Sequence, residues 1–305
     1  MNYTDLTGLR VGISGGVATV TLDHPPFNLM DGTLLASLRA FVHRVRNDVD
    51  VRVVVFDSAD EEFFSAHGDM HFLTDMQALP TALQAFIDAA PGVEVPGDLN
   101  VLEALNVEMR DLPQVTIGKI AGLARGGGNE FLTYLDMRFA AIGKSGQAQP
   151  ETAQHILPGG GGTVNLPRLL GRARALEVIL GGELIGAELA ERYGLVNRAL
   201  PADEIDDFVA DLARRIALLR PEVVAAIKHV VEMSVPSAPV SAYQLEGRAG
   251  MSIYIPEVTE FALKQLGAGV QSSRMVEIDL EDTLRSLSRP DVLAVAIASN
   301  DSVSG

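Results

Sequence analysis

Val17 to Leu22 reads VATVTL, a β-branched run closed by Gly15-Gly16 on one side and Pro25-Pro26 on the other, and the pattern predicts a strand. From Leu34 to Val45 the period lengthens. Leu34, Leu35, Leu38, Phe41, Val42 and Val45 recur at helical spacing and predict an amphipathic helix. Val51 to Phe56, VRVVVF, is apolar almost throughout, which predicts a strand covered on both faces. Ile117 to Ile120 is a weaker strand signal, followed by a glycine-rich turn from Gly122 to Gly128. A helix is then predicted from Glu130 to Leu135 and a strand from Met137 to Ile142. Leu176 to Leu180 and Gly186 to Tyr193 read as short helices, and Ile205 to Leu219 as a longer one with Phe208, Leu212 and Ile216 on one side. Pro221 at a first helical turn introduces Glu222 to Met233. Strands alternating with helices, then helices alone after about residue 201, predict an α/β chain with a helical C-terminal region. Val235 to Pro239 reads as a break, and the polar tail from Asn300 as disordered. Ala78 to Leu99 joins a helical stretch to the loop PGVEVPGD, which fits a substrate entrance or a surface insertion.

Composition narrows the chemistry. The 305 residues, 47% hydrophobic and 21% charged, suffice for one large domain or a domain with an appendage, and bury a core without staples. The chain has no cysteine, which excludes disulfides, thiolate metal ligands and a cysteine nucleophile. A net charge of −16 repels nucleic acid, so no nucleic-acid partner is expected. An anionic ligand would need a local cluster of Arg and Lys. No apolar run approaches the roughly 20 residues that span a bilayer, and Met1 to Arg10 lacks the features of a signal peptide. The expectation is a soluble cytoplasmic protein with no membrane partner.

Three segments carry unusual local chemistry: Phe63 to Met70 (FFSAHGDM), Gly122 to Glu130 (GLARGGGNE), and Gln149-Pro150-Glu151 with Pro158 to Thr163 (PGGGGT) after it. Successive glycines let backbone pass close to a ligand. A helix beginning at the last of Gly126-Gly127-Gly128 would aim free N–H groups and the positive end of its dipole outward, an arrangement that stabilises an anion or a developing oxyanion. A tight strand-to-helix turn would use the same glycines. No Gly-Lys-Ser/Thr ending or Gly-x-Gly-x-x-Gly spacing supports a phosphate loop. Glu130 and Glu151 each sit where a first-turn acid complements a helix dipole, so each alone reads as structural. They become a pair only if both reach one cavity.

Taken in order, these segments resemble the crotonase (enoyl-CoA hydratase/isomerase) superfamily. VATVTLDHPP resembles its first strand and turn, and Phe64-Ser65-Ala66 before Asp69 resembles its first oxyanion-hole segment. GLARGGGNEF resembles the second. QPE, ILPGGGGT, Leu166-Pro167-Arg168-Leu169 and Tyr193 to Pro201 resemble the later stretches of that family's core, so the likeness covers roughly residues 10 to 230. The resemblance implies a spiral of ββα units over residues 1–200. It implies a helical region over 201–305 that closes the pocket and serves oligomerisation, and a homotrimer or homohexamer. It places the oxyanion-hole N–H groups at Gly68 and Gly127 and the catalytic carboxylates at Glu130 and Glu151. Ala66, His67, Asp69, Met70, His71, Arg125, Gly126, Pro150 and Gly159 would surround the substrate. The implied reaction is hydration of a 2-enoyl-CoA or the reverse, with no metal and no cofactor beyond the coenzyme A of the substrate. Double-bond isomerisation, thioester hydrolysis, carbon–carbon cleavage and non-catalytic acyl-CoA binding are the alternatives.

Some residues depart from the family pattern. His67 stands where glycine is usual, and either meets the substrate or points away. Arg125 replaces a common apolar residue and would pair with a substrate carboxylate or with a neighbouring Asp or Glu. His71 would add positive charge near the coenzyme, and Asn129 could orient the Glu130 carboxylate. The C-terminal seventy or so residues match the family poorly.

Overall fold

The computed structural model describes residues 1–95, 99–235 and 238–288. The polar tail and parts of the PGVEVPGD loop and of the Val235–Pro239 break lie outside these residues. The chain opens with the antiparallel hairpin β1 (Leu9–Ser14) and β2 (Val17–Leu22), turned by Gly15-Gly16. Next comes α1 (Gly32–Val45), which starts two residues before its apolar run because the Asp31 side chain accepts the Leu34 N–H at 2.8 Å.

A strand–strand–helix unit then repeats three times. First come β3 (Val53–Ser58), β4 (Phe63–Ser65) and α2 (His71–Thr74), followed by α3 (Ala78–Asp88) and α4 (Val101–Arg110). The second unit is β5 (Val115–Ile120), β6 (Leu123–Arg125) and α5 (Gly127–Thr133). The third is β7 (Met137–Ala141), β8 (Gly146–Ala148) and a 3-10 turn, Pro150–Gln154. Beyond lie α6 (Gly162–Leu170), α7 (Arg172–Gly181), β9 (Ile185–Gly186), α8 (Ala187–Tyr193) and β10 (Arg198–Leu200). The rest is helical: α9 (Ile205–Ala217), α10 (Pro221–Ser234), α11 (Val240–Ile253), α12 (Pro256–Gly267), α13 (Arg274–Ile278) and a helical stretch over 280–288.

The first strand of each unit joins a six-stranded sheet, ordered β1-β2-β3-β5-β7-β10 and parallel from β2 onward. The second strand joins a four-stranded sheet, β4-β6-β8-β9, parallel over its first three members. This is the expected spiral of ββα units with a helical C-terminal region.

Burial explains the apolar run of β3. Val54 and Phe56 face the main core with α1, α4 and α5, while Val53 and Val55 pack with Ile205, Val209 and Ala213 of α9. Predicted strands and helices are present with ends shifted by a few residues. The helix predicted from Glu130 begins at Gly127, because Gly126 at φ +47° turns the chain and its carbonyl takes the Glu130 N–H at 2.8 Å. The three-residue strands β4, β6 and β8 and the helices α4 and α6 have too few periodic positions to predict from the sequence.

Candidate active site

The small sheet brings the three glycine-rich segments together. In register, Ser65 pairs with Ala124 and Arg125 with Ala148, so β4, β6 and β8 end side by side. Ala66–Gly68, Gly126–Glu130 and Gln149–Glu151 leave from those carboxyl ends, where parallel sheets usually open a site. Gly128 lies so close to Ser65 that an added Cβ would fall 2.7 Å from the Ser65 carbonyl oxygen, which ties α5 to the end of β4.

Gly68 and Gly127 lie side by side in this space. The His67 carbonyl accepts the Met30 N–H at 3.0 Å, so the trans peptide directs the Gly68 N–H to the opposite side. Gly127 is the first residue of α5, and its N–H has no intrahelical partner. A Cβ on Gly127 would stand 3.4 Å from the Gly68 nitrogen and 3.2 Å from Leu102 Cδ2. The two amides are therefore neighbours under the Leu102 side chain.

Both glutamates are buried here, 2% and 8% exposed for Glu130 and Glu151. Glu130 Oε1 accepts the Gly160 and Gly162 N–H groups, each at 2.8 Å. Glu151 lies over Gly126, where an added Cβ would fall 2.7 Å from Oε1. Its Oε2 accepts Gln149 Nε2 at 3.3 Å, and Gln149 Oε1 accepts Asn129 Nδ2 at 2.6 Å. Asn129 thus serves the Glu151 side, a correction to its expected role beside Glu130. Burial raises the Glu130 carboxyl well above the usual range, and the charges of Glu151 and Glu246 add to this against the two N–H bonds. Burial also pushes Glu151 up to about 7, with Glu246 adding to the rise and the neighbouring His67 opposing it. Both carboxyls are thus displaced toward the protonated form, Glu130 further disfavoured as an anion by the charge of Glu151.

The profile of the enoyl-CoA hydratase/isomerase family matches residues 12–263. The chain belongs to that family. A solved structure from Streptomyces avermitilis, provisionally assigned as an enoyl-CoA hydratase, is 41% identical, covers 93% of this chain and 99% of its own, and superposes with a TM-score of 0.83. Pseudomonas aeruginosa DspI is 28% identical, covering 82% of this chain and 97% of its own at a TM-score of 0.67. Carnitinyl-CoA dehydratase of Escherichia coli K12 is 30% identical over 250 residues, 82% of this chain and 89% of its own. As a family member the chain is an enzyme, with chemistry of the enoyl-CoA hydratase/isomerase type on acyl-CoA substrates. Among the described residues no helix is long and apolar enough to cross a membrane, and no group of His, Asp and Glu is placed to hold a metal.

The remaining enoyl-CoA hydratase/isomerase positions divide between the site and the C-terminal region. His67 is buried. Its Nδ1 lies 2.7 Å from the Gly68 carbonyl and its Nε2 3.2 Å from Glu277 Oε1. Burial disfavours its charge, but Glu277 and the Gly68 carbonyl outweigh that and raise its pKa. Arg125 is fully buried and pairs with Glu281 at 2.6 Å, while its other nitrogens bond the Glu277 and Ile278 carbonyls. Of the two partners open to it in the sequence, the internal acid is the one observed. Met70 is buried with its N–H on Gln271, and Asp69 takes Gln271 Nε2 at 2.9 Å. His71 is exposed and paired with Asp69 at 2.7 Å. Ala66 is buried with its N–H on the Phe27 carbonyl, Pro150 opens the 3-10 turn under Glu151, and the Gly159 carbonyl accepts Asn100 Nδ2 at 2.6 Å.

Three residues that sequence reasoning did not reach also border the site: Leu102, Glu103 and Glu246. Leu102 and Glu103 lie in α4 and Glu246 in α11, outside every glycine-rich motif; the Asn100-x-x-Glu103 capping box marks a helix start and not a site. The excess of carboxylates over basic residues in the composition is the only hint the sequence offers.

Proposed function

We propose that this enzyme interconverts a 2-enoyl-CoA and a 3-hydroxyacyl-CoA by adding or removing water. The observation that carries the reading is the closeness of Gly68 and Gly127, whose N–H groups have no partner among the described residues, to two buried glutamates whose carboxyls burial displaces upward. The amides would hold the thioester oxygen and stabilise the enolate that forms as water adds to the β-carbon, or, in the reverse direction, as the α-carbon loses its proton. Glu151, ionising near neutrality, would take the proton of the attacking water. Glu130 accepts both N–H bonds at Oε1, which leaves Oε2 to carry the proton delivered to the α-carbon. The dehydratase named among the relatives fits the reverse direction.

In this reading Ala66, His67, Asp69, Met70, His71, Arg125, Gly126, Pro150 and Gly159 shape the substrate chamber. His67 and Arg125 do so by anchoring the C-terminal segment against it. The reading includes a cytoplasmic location and a homotrimer or homohexamer. The assembly is supported by α10, where Val224 alone is buried while Ile227, Val230, Val231 and Met233 face outward.

The test is loss of the 2-enoyl absorbance of crotonyl-CoA and its longer homologues, with product mass determined. Water gain supports the reading. Unchanged mass would mean isomerisation, chain loss would mean hydrolysis or carbon–carbon cleavage, and tight binding without any product would mean a non-catalytic acyl-CoA protein. Wild type and Glu130→Gln equally silent at every chain length would refute it.

A further inference from the structure

The turn that holds Glu130 is gripped from both sides. Gly160 and Gly162 donate to Glu130 of α5. The alternate N–H groups, Gly161 at 2.6 Å and Thr163 at 2.9 Å, donate to Glu246 of α11, and the Thr163 hydroxyl donates to the same carboxylate. Four successive amides are thus divided between two buried acids. Carbonyls of the turn are held as well, Gly159 by Asn100 and Gly160 by Asn106. The turn has little freedom to shift toward either acid without losing bonds to the other. Glu246 is only 3% exposed, and its helix belongs to the C-terminal region, beyond the glycine-rich motifs.

A second acid faces Glu246. Glu103 is 1% exposed, and its Oε2 accepts the Asn100 N–H at 3.0 Å in a capping box. Its Oε1 is buried and meets no donor among the described residues. The Glu246 carboxylate is near enough to act on the Glu103 carboxyl by charge and by a side-chain hydrogen bond, so a proton on one of the two would complete a carboxyl–carboxylate bond. Other ionisable groups that feel Glu246 are Glu130 from α5, Tyr134 just beyond it and Glu151 from the 3-10 turn, all of them acids. Arg110 of α4 comes as near as the Tyr243 hydroxyl, to which it donates at 3.1 Å.

We propose that Glu246 is a positioning residue for Glu130, acting through the shared turn 160–163, and that Glu103 and Glu246 share one proton behind that turn. The inference rests on the hydratase reading and extends it to two residues outside the recognised motifs. The upward displacement of the Glu103 carboxyl to about 8, by burial first and the Glu246 contact after it, agrees with the arrangement. Above that pH Glu103 would lose its proton, the two carboxylates would repel, and the grip on the turn would loosen.

The experiment measures kcat, KM and the pH profile of the full-length enzyme with a 2-enoyl-CoA for wild type, Glu246→Gln, Thr163→Val and Glu103→Gln. Thermal melting checks that each variant is folded. Glu246→Gln should lower kcat at least about tenfold with KM within about twofold. Thr163→Val, which removes one donor and is the milder change should Glu246→Gln not fold, should lower kcat by a smaller factor in the same sense. Glu103→Gln should move the alkaline limb of kcat to higher pH. A folded Glu246→Gln or Thr163→Val with wild-type kcat overturns the positioning role, and an unmoved alkaline limb in Glu103→Gln overturns the proton sharing. Failure of the hydratase reading would look different, because wild type itself would then give no hydrated product.

Discussion

Replacing Gly127 with alanine adds one methyl group beside the Gly68 amide. Its carbon would sit 3.4 Å from the Gly68 nitrogen and 3.5 Å from the Gly68 Cα. A thioester oxygen held by both amides must lie about 2.7–3.1 Å from each nitrogen. A carbon wants about 3.5 Å or more from its non-bonded neighbours, so methyl and oxygen compete for one space. The backbone itself tolerates the change, since Gly127 lacks a positive φ and lies in a helix that alanine favours. The nearest obstacle, Leu102 Cδ2 at 3.2 Å, is the end of a flexible side chain and can give by tenths of an ångström. Losing one such donor costs about 2.7–4 kcal/mol of barrier, or roughly 10²–10³-fold in kcat. The assay is initial-rate hydration of a 2-enoyl-CoA, with melting temperature as the control for folding. A folded Gly127→Ala enzyme within about threefold of wild-type kcat would refute the placement of the oxyanion hole.

Three further outcomes follow from buried charge. Glu151 must be ionised to act as base and is displaced upward to about 7, so kcat/KM should fall about tenfold per pH unit below that value. A limb centred below pH 5, or one unchanged in a Glu151→Gln enzyme of residual activity, contradicts the assignment. Glu103 keeps its proton in the fold up to about pH 8 but ionises near 4.5 once unfolded. The stability it supplies is therefore complete below pH 4.5 and is lost as pH rises to about 8. The melting temperature of Glu103→Gln should gain on wild type between pH 5 and pH 8.5, and parallel curves would be the contrary result. Arg125→Met leaves Glu281 without its partner in a buried setting, so denaturant titration should show a loss of about 3–5 kcal/mol. Unchanged stability with a large rise in KM would instead mean that Arg125 meets the substrate.

Glycines and carboxylates at the right spacing announced candidates for the site, but not their meeting. Gly126, Gly127, Glu130 and Glu151 stand in motifs, and each also has an ordinary structural use. They converge because β4, β6 and β8 lie parallel and in register, and three-residue strands leave no periodic pattern to read. Glu246 and Glu103 were illegible for another reason. Each lies in an amphipathic helix where an acid looks like a solvated surface residue, and only the packing of α11 and α4 around residues 160–163 turns both inward.

The sequence by itself determined the strands β2 and β3, the helices α1 and α9, and the absence of cysteine chemistry. Local apolar periodicity and composition are enough for those. The tertiary structure decided which acids are buried, that the Arg125 guanidinium pairs within the chain, and that Gly68 and Gly127, about sixty residues apart, are neighbours. Proton affinity and amide convergence depend on burial and distance between remote segments, quantities that no local pattern of side chains encodes.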